Sequence, residues 1–259
     1  MEKVIVHREN RISISVVSHG QMALVFSLLQ DLHRCCSDHP VELLLTLNIP
    51  EPQPIGLDLT PWSVRVICND TPKGFGANHN QAFSLASGEY FCVLNPDIRL
   101  STCPFAELLR VLHDPGVGVV GPQVLSPAGQ IEDSARKFPK PQKIVSKLLG
   151  SVPLADYPPT SGPISVDWIG GMFMLFRRTV FKNIQGFDER YFLYYEDVDL
   201  CARLHLAGLQ SRLCPNVQVV HDARRSSHRK LRYLLWHVRS MLRFFSSPVY
   251  RRLQSGAGT

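Results

Sequence analysis

The first 115 residues switch repeatedly between two hydrophobic periods. Residues 12–17, ISISVV, are a short β-branched run that predicts a strand. From Gln21 to Cys36 the spacing becomes helical, with Leu24, Leu28, Leu29 and Leu32 on one face. VELLLTLN (41–48) and SVRVICN (63–69) predict a second and a third strand, the second buried. A helix is expected at about 76–87, the strand YFCVLN at 90–95, and a further helix at about 103–113. Strands alternating with helices imply a mostly parallel, buried sheet of doubly wound type, with ligands at the carboxyl ends of the strands.

The pattern changes after residue 115. GVGVVGPQVLSPAGQIED predicts strand, turn and strand, and the Pro-rich segment 137–163 predicts an irregular flap. ISVDWIGGMFMLFRR resumes strand character, interrupted by Gly170 and Gly171. A helix is expected to begin near Glu196, and QSRLCPNVQVVH predicts two short strands. Strands on both sides of the flap favour one domain over residues 1–221, with halves at about 1–115 and 116–221, followed by a tail at 222–259.

With 44% hydrophobic and 19% charged residues, the 259-residue chain has the composition of a globular α/β protein, which excludes a disordered one. No apolar run is long enough for a transmembrane helix or a signal peptide. The cysteines form no CxxC pair and several lie in strand-like runs, so reduced core thiols and a cytoplasmic location are expected. The net charge of +6 belongs to the tail: residues 223–259 hold nine Lys or Arg and no acidic residue, leaving about −3 for the rest. There Leu231, Leu234, Leu235, Val238, Leu242 and Phe245 share a helical face, with Arg229, Lys230, Arg232, Arg239 and Arg243 largely elsewhere. Such a basic amphipathic helix suits an anionic membrane interface, making the protein peripheral there, or equally a docked helix with a solvated basic side. A nucleic-acid-binding module would explain the basic tail but not the motifs that follow, so no nucleic-acid partner is expected.

The densest chemistry is FDERYFLYYEDVDL (187–200), where Asp188, Glu189, Glu196, Asp197 and Asp199 are threaded among aromatic side chains. Carboxylates in an apolar wall suit acid–base work, and equally a helix start whose dipole favours negative charge. Asn95-Pro96-Asp97 closes a strand, where a carboxylate can hold a divalent cation or simply make a turn. In GFGANHNQAF (74–83) two glycines lead into a helix whose start could face phosphate, although neither a dinucleotide nor a Walker fingerprint is met. Gly170 and Gly171 mark a bulge or a close approach by a ligand, and His221 ends the strand VQVVH.

In order and spacing, SVVSH, GFGANHNQAF, LNPD, WIGGMFMLFRR, GFDERYFLYYEDVDL and VVH resemble the inverting family-2 glycosyltransferases of GT-A fold. Within them, the bacterial rhamnosyltransferase-like branch is the most similar. The resemblance implies a Rossmann-like α/β fold and transfer of a sugar, with L-rhamnose from dTDP-L-rhamnose as the best candidate. The donor would be a dTDP- or UDP-sugar, and the acceptor a glycan or a lipid-diphosphate-linked glycan in cell-surface polysaccharide synthesis. It also implies Mg²⁺ or Mn²⁺ held at Asp97 and His221, and donor contacts from Ser18, His19, Asn48, Asn78, Asn95, Gly170 and Gly171. Asp197 matches the catalytic base and Glu196 its neighbour, while Trp168, Tyr194 and Tyr195 would line the acceptor side. Asp199 and Arg203, four residues apart on a helix, are expected to form a structural pair, and Asp188 and Glu189 to lie in a turn. A nucleotidyltransferase and an inactive glycosyltransferase-like binding protein are the rival readings. Oligomeric state is left open.

Overall fold

The computed structural model describes residues 10–52, 59–142, 156–158, 160–222 and 231–256. Most of the Pro-rich flap, and the part of the basic tail containing Arg229 and Lys230, lie outside the described residues.

Strand β1 (Ile12–Ser18) shows how the sequence builds the layers. Ile12, Ile14 and Val16 are wholly buried in the core cluster that also holds Leu28, Leu29 and Leu32 of α1 (Met22–Cys36). The intervening Ser13 and Ser15 turn to the other face, where the Ser15 hydroxyl lies 2.8 Å from His79 Nδ1. His79 sits on α2 (Phe75–Leu85), which covers that face. A two-residue period thus assigns each side chain to a layer.

Strands β2 (Val41–Leu47), β3 (Ser63–Cys68) and β4 (Tyr90–Leu94) join β1 in parallel, in the order β3-β2-β1-β4. The chain continues through β5 (Ile98–Arg99), α3 (Phe105–Leu112), β6 (Val117–Leu125), β7 (Ala135–Arg136), β8 (Ile164–Val166), β9 (Trp168–Ile169) and β10 (Phe173–Arg177). Then come α4 (Arg178–Asn183), α5 (Glu196–Leu206), β11 (Gln210–His221), α6 (Leu231–Ser246) and α7 (Pro248–Gln254).

The mostly parallel sheet expected from the sequence is in fact mixed. Its order runs on as β4-β10-β6-β11-β5, and β10 is antiparallel to both β4 and β6. The reason lies at the Gly170–Gly171 turn, which launches β10 from the carboxyl end of β4, so that Phe173 pairs with Leu94 and Arg177 with Tyr90. A parallel β10 would have had to start from the opposite edge. The second correction concerns QSRLCPNVQVVH, which is one strand and not two. Its pairing with β6 slips between Cys214 and Gln218, around Pro215, which has no N–H to donate, but the chain stays extended through the irregularity. The strand expected after the 126–130 turn is reduced to a single bridge between Leu125 and Ile131.

All seven cysteines are free thiols, with Cys36, Cys92, Cys201 and Cys214 buried. Among the described residues, no helix is long and apolar enough to cross a membrane. Helix α6 packs on α5 and the loop before it through a small cluster of Tyr191, Val198, Ala202 and Phe244. Phe245, expected on the same face as the leucines, is drawn in towards the rings of Tyr195 and Tyr250.

Candidate active site

The carboxyl ends of β1 to β4 meet in a polar layer. Ser18 is buried at the end of β1 and accepts the Gln21 N–H at 3.2 Å. Asn48 accepts the Lys73 N–H at 2.8 Å and donates to the Lys73 carbonyl at 3.0 Å, and its amide lies 3.2 Å from His19 Nδ1. Asn69 bridges Asn48 and Asn78, donating to both at 2.9 and 2.7 Å. Asn78 in turn donates to the carbonyls of Lys73 and Gly74. Asn48 and Asn78 therefore hold the loop before α2, with their amides already engaged inside the protein. Asn69, which the sequence did not single out, is the centre of the network. Beyond it a cavity of about 240 Å³ is lined by Leu47, Ile49, Pro50, Glu51, Cys68 and Asn69.

The start of α2 packs against the aromatic segment. The Phe75 N–H donates to the Phe192 carbonyl at 2.9 Å, and a Cβ on Gly74 would lie 2.7 Å from that same oxygen. Glycine at position 74 serves the close approach of this helix to the aromatic segment.

At the end of β4 the Asn95 N–H is tied to the Met172 carbonyl, so the Asn95-Pro96-Asp97 turn abuts the Gly170–Gly171 turn. Asp97 Oδ2 lies 3.2 Å from His221 Nε2, and His221 Nδ1 lies 2.7 Å from Glu132 Oε2. Burial opposes a charge on His221, but hydrogen bonds and attraction to Asp97 and Glu132 prevail and raise its pKa to about 9. Among the described residues, Asp97 Oδ1 is buried without a hydrogen-bond partner. An orphaned carboxylate oxygen beside an imidazole backed by a second carboxylate fits a divalent cation, and metal-ligating histidines typically have such a carboxylate on the far nitrogen. Among the described residues, no group of three acidic, His or Cys side chains forms a ready-made metal cluster. Glu132, on the loop after β6, is 89 positions from His221, and no local pattern in the sequence pointed to it.

Glu196 and Asp197 open α5, and the backbone before them is unusual. Tyr194 and Tyr195 have φ of 71° and 68°, left-handed values that cost a non-glycine residue about 1–2 kcal/mol each. Packing opposes the strain: Tyr194 and Tyr195 both contact the His237 ring, and Tyr195 also lies against Phe244. The result is a sharp entry that aims two adjacent carboxylates differently. Glu196 is buried, with Oε2 unpartnered among the described residues, and its pKa is raised well above the ordinary value by burial and by the Asp197 charge. Asp197 is half-buried, accepting the Gly171 N–H at 3.0 Å and the Val198 N–H at 2.8 Å. Burial raises its pKa too, opposed by those two N–H groups and by Arg136. A carboxylate that is positioned, partly open and more basic than usual can take a proton from a bound hydroxyl.

The sequence profile of the family described as "Glycosyltransferase like family 2" matches residues 60–243, which include both acidic centres. The chain belongs to that family. It is similar to the rhamnosyltransferase WbbL of Escherichia coli K12, 27% identical over 269 residues and covering 90% of this chain and 92% of WbbL. It is also similar to the N-acetylglucosaminyl-diphospho-decaprenol L-rhamnosyltransferase of Mycobacterium tuberculosis, at 31% identity over 54% of this chain and 49% of that protein. Among solved structures, the mannosyltransferase PcManGT of Pyrobaculum calidifontis, in complex with GDP-Man and Mn²⁺, superposes with a TM-score of 0.59. It is 18% identical, over 95% of this chain and 69% of that one. GalNAc-T7 with UDP, GalNAc and Mn²⁺ gives a TM-score of 0.65 at 13% identity, over 83% of this chain and 44% of that one. The fold is of GT-A type, and the family makes the protein a glycosyltransferase.

In this family-2 glycosyltransferase the glycine pair has a local reason. A Cβ on Gly171 would meet the Phe75 ring at 3.0 Å, and the backbone approach it permits is what presents an N–H to Asp197. Trp168 donates its indole N–H to the Lys137 carbonyl at 3.1 Å, and Arg136 lies 5.9 Å over its ring. Arg136 was not foreseen from sequence. It sits on β7 beside β9, its Nε is buried without a partner among the described residues, and its positive charge holds the Asp197 pKa down against burial. Asp199 and Arg203 form a 2.7 Å pair, and Arg203 also donates to the carbonyls of Ile184 and Gly186. Asp188 accepts from Arg190 within a turn, while Glu189 accepts from Asn80 at 2.9 Å. His79, its pKa lowered to about 3 by burial, is a neutral core residue between Phe75 and Phe187.

Proposed function

We propose that this protein is an inverting, metal-dependent hexosyltransferase moving L-rhamnose from dTDP-L-rhamnose to a glycan carried on a lipid diphosphate, in cell-surface polysaccharide synthesis on the cytoplasmic side of the membrane. The observation that carries the reading is the half-buried Asp197, fixed by the Gly171 N–H on the site edge of the mixed sheet. The similarity to two proteins named as rhamnosyltransferases, one of them for a decaprenol diphosphate acceptor, supports the choice of sugar and acceptor.

In this reading the donor base enters the cavity beside Asn69, below His19 and the ends of β2 and β3. Ser18, Asn48 and Asn78 act by shaping that wall, and Asn95 and the glycine pair border the sugar. Asp97 and His221 would hold Mg²⁺ or Mn²⁺, which when bound neutralises the diphosphate leaving group. Asp197 takes the proton from the acceptor hydroxyl as that oxygen attacks the anomeric carbon, opposite the departing diphosphate. Burial and the Asp197 charge raise the Glu196 pKa well above the ordinary value, which favours its holding the proton in preference to Asp197. Trp168, Tyr194 and Tyr195 form the acceptor wall and exclude water that would otherwise hydrolyse the donor.

The direct test is binding and turnover with dTDP-L-rhamnose against a panel of UDP- and GDP-sugars, with and without Mn²⁺. Preference for a UDP-sugar would overturn the rhamnosyl assignment, and metal-independent transfer would overturn the cation. Glu132 offers a sharper check on the cation site. Glu132→Ala removes the acceptor on His221 Nδ1, so Mn²⁺ affinity measured by calorimetry with dTDP present should fall about 10–100-fold. Unchanged affinity would make Glu132 a brace for its loop and nothing more.

A further inference from the structure

Helix α6 has two apolar faces, and the described residues of the domain pack on only one. Tyr233, Trp236, Ser240 and Phe244 recur at intervals of three or four residues and turn inward. Trp236 lies 4.7 Å from the Phe192 ring, the Ser240 hydroxyl donates to the Leu193 carbonyl at 2.9 Å, and Phe244 is wholly buried. On the opposite side Leu231, Leu234, Leu235, Val238 and Leu242 remain between 38% and 70% exposed. Their spacing makes a continuous aliphatic stripe over three turns, and a contiguous stripe of this kind marks an interaction surface.

Charge identifies the occupant. Arg232, Arg239 and Arg243 follow one another at intervals of seven and four, which places them in a row along one border of the stripe. Arg251 and Arg252 are exposed on α7, and residues 223–259 contain no acidic side chain. A second copy meeting stripe to stripe would bring two arginine rows together with nothing on either tail to neutralise them. A nucleic acid would meet the arginines but leave the leucines in water. A bilayer with anionic headgroups satisfies both at once, the stripe in the acyl boundary and the arginines at the phosphates. With 16 residues and charged throughout its length, the helix suits lying in the interface and not spanning it.

We infer that the leucine stripe of α6 lies on an anionic lipid surface and holds the acceptor wall against it. The inner face of the same helix touches Phe192, Leu193, Tyr194 and Tyr195, the residues immediately before Glu196 and Asp197. A lipid-linked acceptor would then arrive beside the acidic pair. That consequence rests on the proposed function, while the lipid contact itself does not.

The test uses the full chain with vesicles of phosphatidylglycerol and phosphatidylethanolamine, or of phosphatidylcholine alone, in a flotation assay. Wild type should bind the anionic vesicles at low salt and release as salt shortens the reach of surface charge from about 10 Å at 0.1 M to about 3 Å at 1 M. The triple variant Leu234→Gln, Leu235→Gln, Leu242→Gln should lose at least about tenfold in vesicle partition. It should keep its melting temperature, its monomer–oligomer distribution and its transfer to a soluble acceptor analogue. Arg239→Gln with Arg251→Gln and Arg252→Gln should reduce binding to anionic vesicles only. Equal binding to phosphatidylcholine, no binding at all, or an oligomer that the leucine variant dissolves would each overturn the inference. Because donor binding and transfer to the soluble analogue are read separately, a wrong glycosyl assignment would show there with vesicle binding intact.

Discussion

Asp197→Asn is expected to bind the nucleotide-sugar donor almost as wild type does and to lose roughly 10²–10⁴-fold in transfer. The substitution keeps shape but removes the proton-accepting carboxylate. It also has a local cost that a control must catch. Asp197 accepts two N–H groups, from Gly171 and Val198, and an asparagine has one acceptor oxygen for the two. Thermal denaturation must therefore show a folded protein, and donor calorimetry must show an intact nucleotide site, before the rate is interpreted. The pH profile adds a second readout. Burial raises the Asp197 pKa, so the proton is held to a higher pH than on an exposed aspartate, whose value is about 3.9. Transfer should then rise with pH through a limb lying above that range, and the residual activity of the Asn variant should lack the limb. A folded Asp197→Asn protein with full transfer would remove Asp197 from the mechanism and direct attention to Glu196.

Asp97→Ala should weaken Mn²⁺-dependent binding of the donor and lower transfer by about 10²–10³-fold, because stabilising the diphosphate charge is worth several kcal/mol. The structural reason is the buried Asp97 Oδ1, which no donor among the described residues satisfies. The readout is calorimetry of dTDP with and without Mn²⁺: wild type should show a metal-dependent gain in affinity and the variant little of it. The variant also removes one of the two carboxylates that flank His221, so Asp97→Asn serves as a companion that retains a polar partner for the imidazole. Equal metal dependence in wild type and both variants would reduce the Asn95-Pro96-Asp97 segment to a turn and place the cation elsewhere.

The elements of the first half were legible in the amino-acid order alone, because strands and helices there are set by local periodicity. β1, α1, β2, β3, α2, β4 and α3 lie within about two residues of the positions read from apolar spacing. That order also located the acidic pair at the start of a helix and the Asp199–Arg203 pair within it, since both depend on neighbours a few positions apart. Other features were decided only by the tertiary structure. The reversal of β10 depends on which edge the Gly170–Gly171 turn starts from, and strand direction leaves no mark in a run such as FMLFR. Glu132 reaches His221, the Arg136 charge is felt at Asp197, and Asn69 joins Asn48 to Asn78 across distances that no periodicity encodes. The amides of Asn48 and Asn78 were legible as unusual, but not as already engaged by the Lys73–Gly74 backbone. The tail shows the division most clearly. Spacing alone showed that the leucines share a helical face. That the aromatic face opposite them docks on Phe192 to Tyr195, leaving the leucines in water, could be decided only once the chain had folded back on its own acidic site.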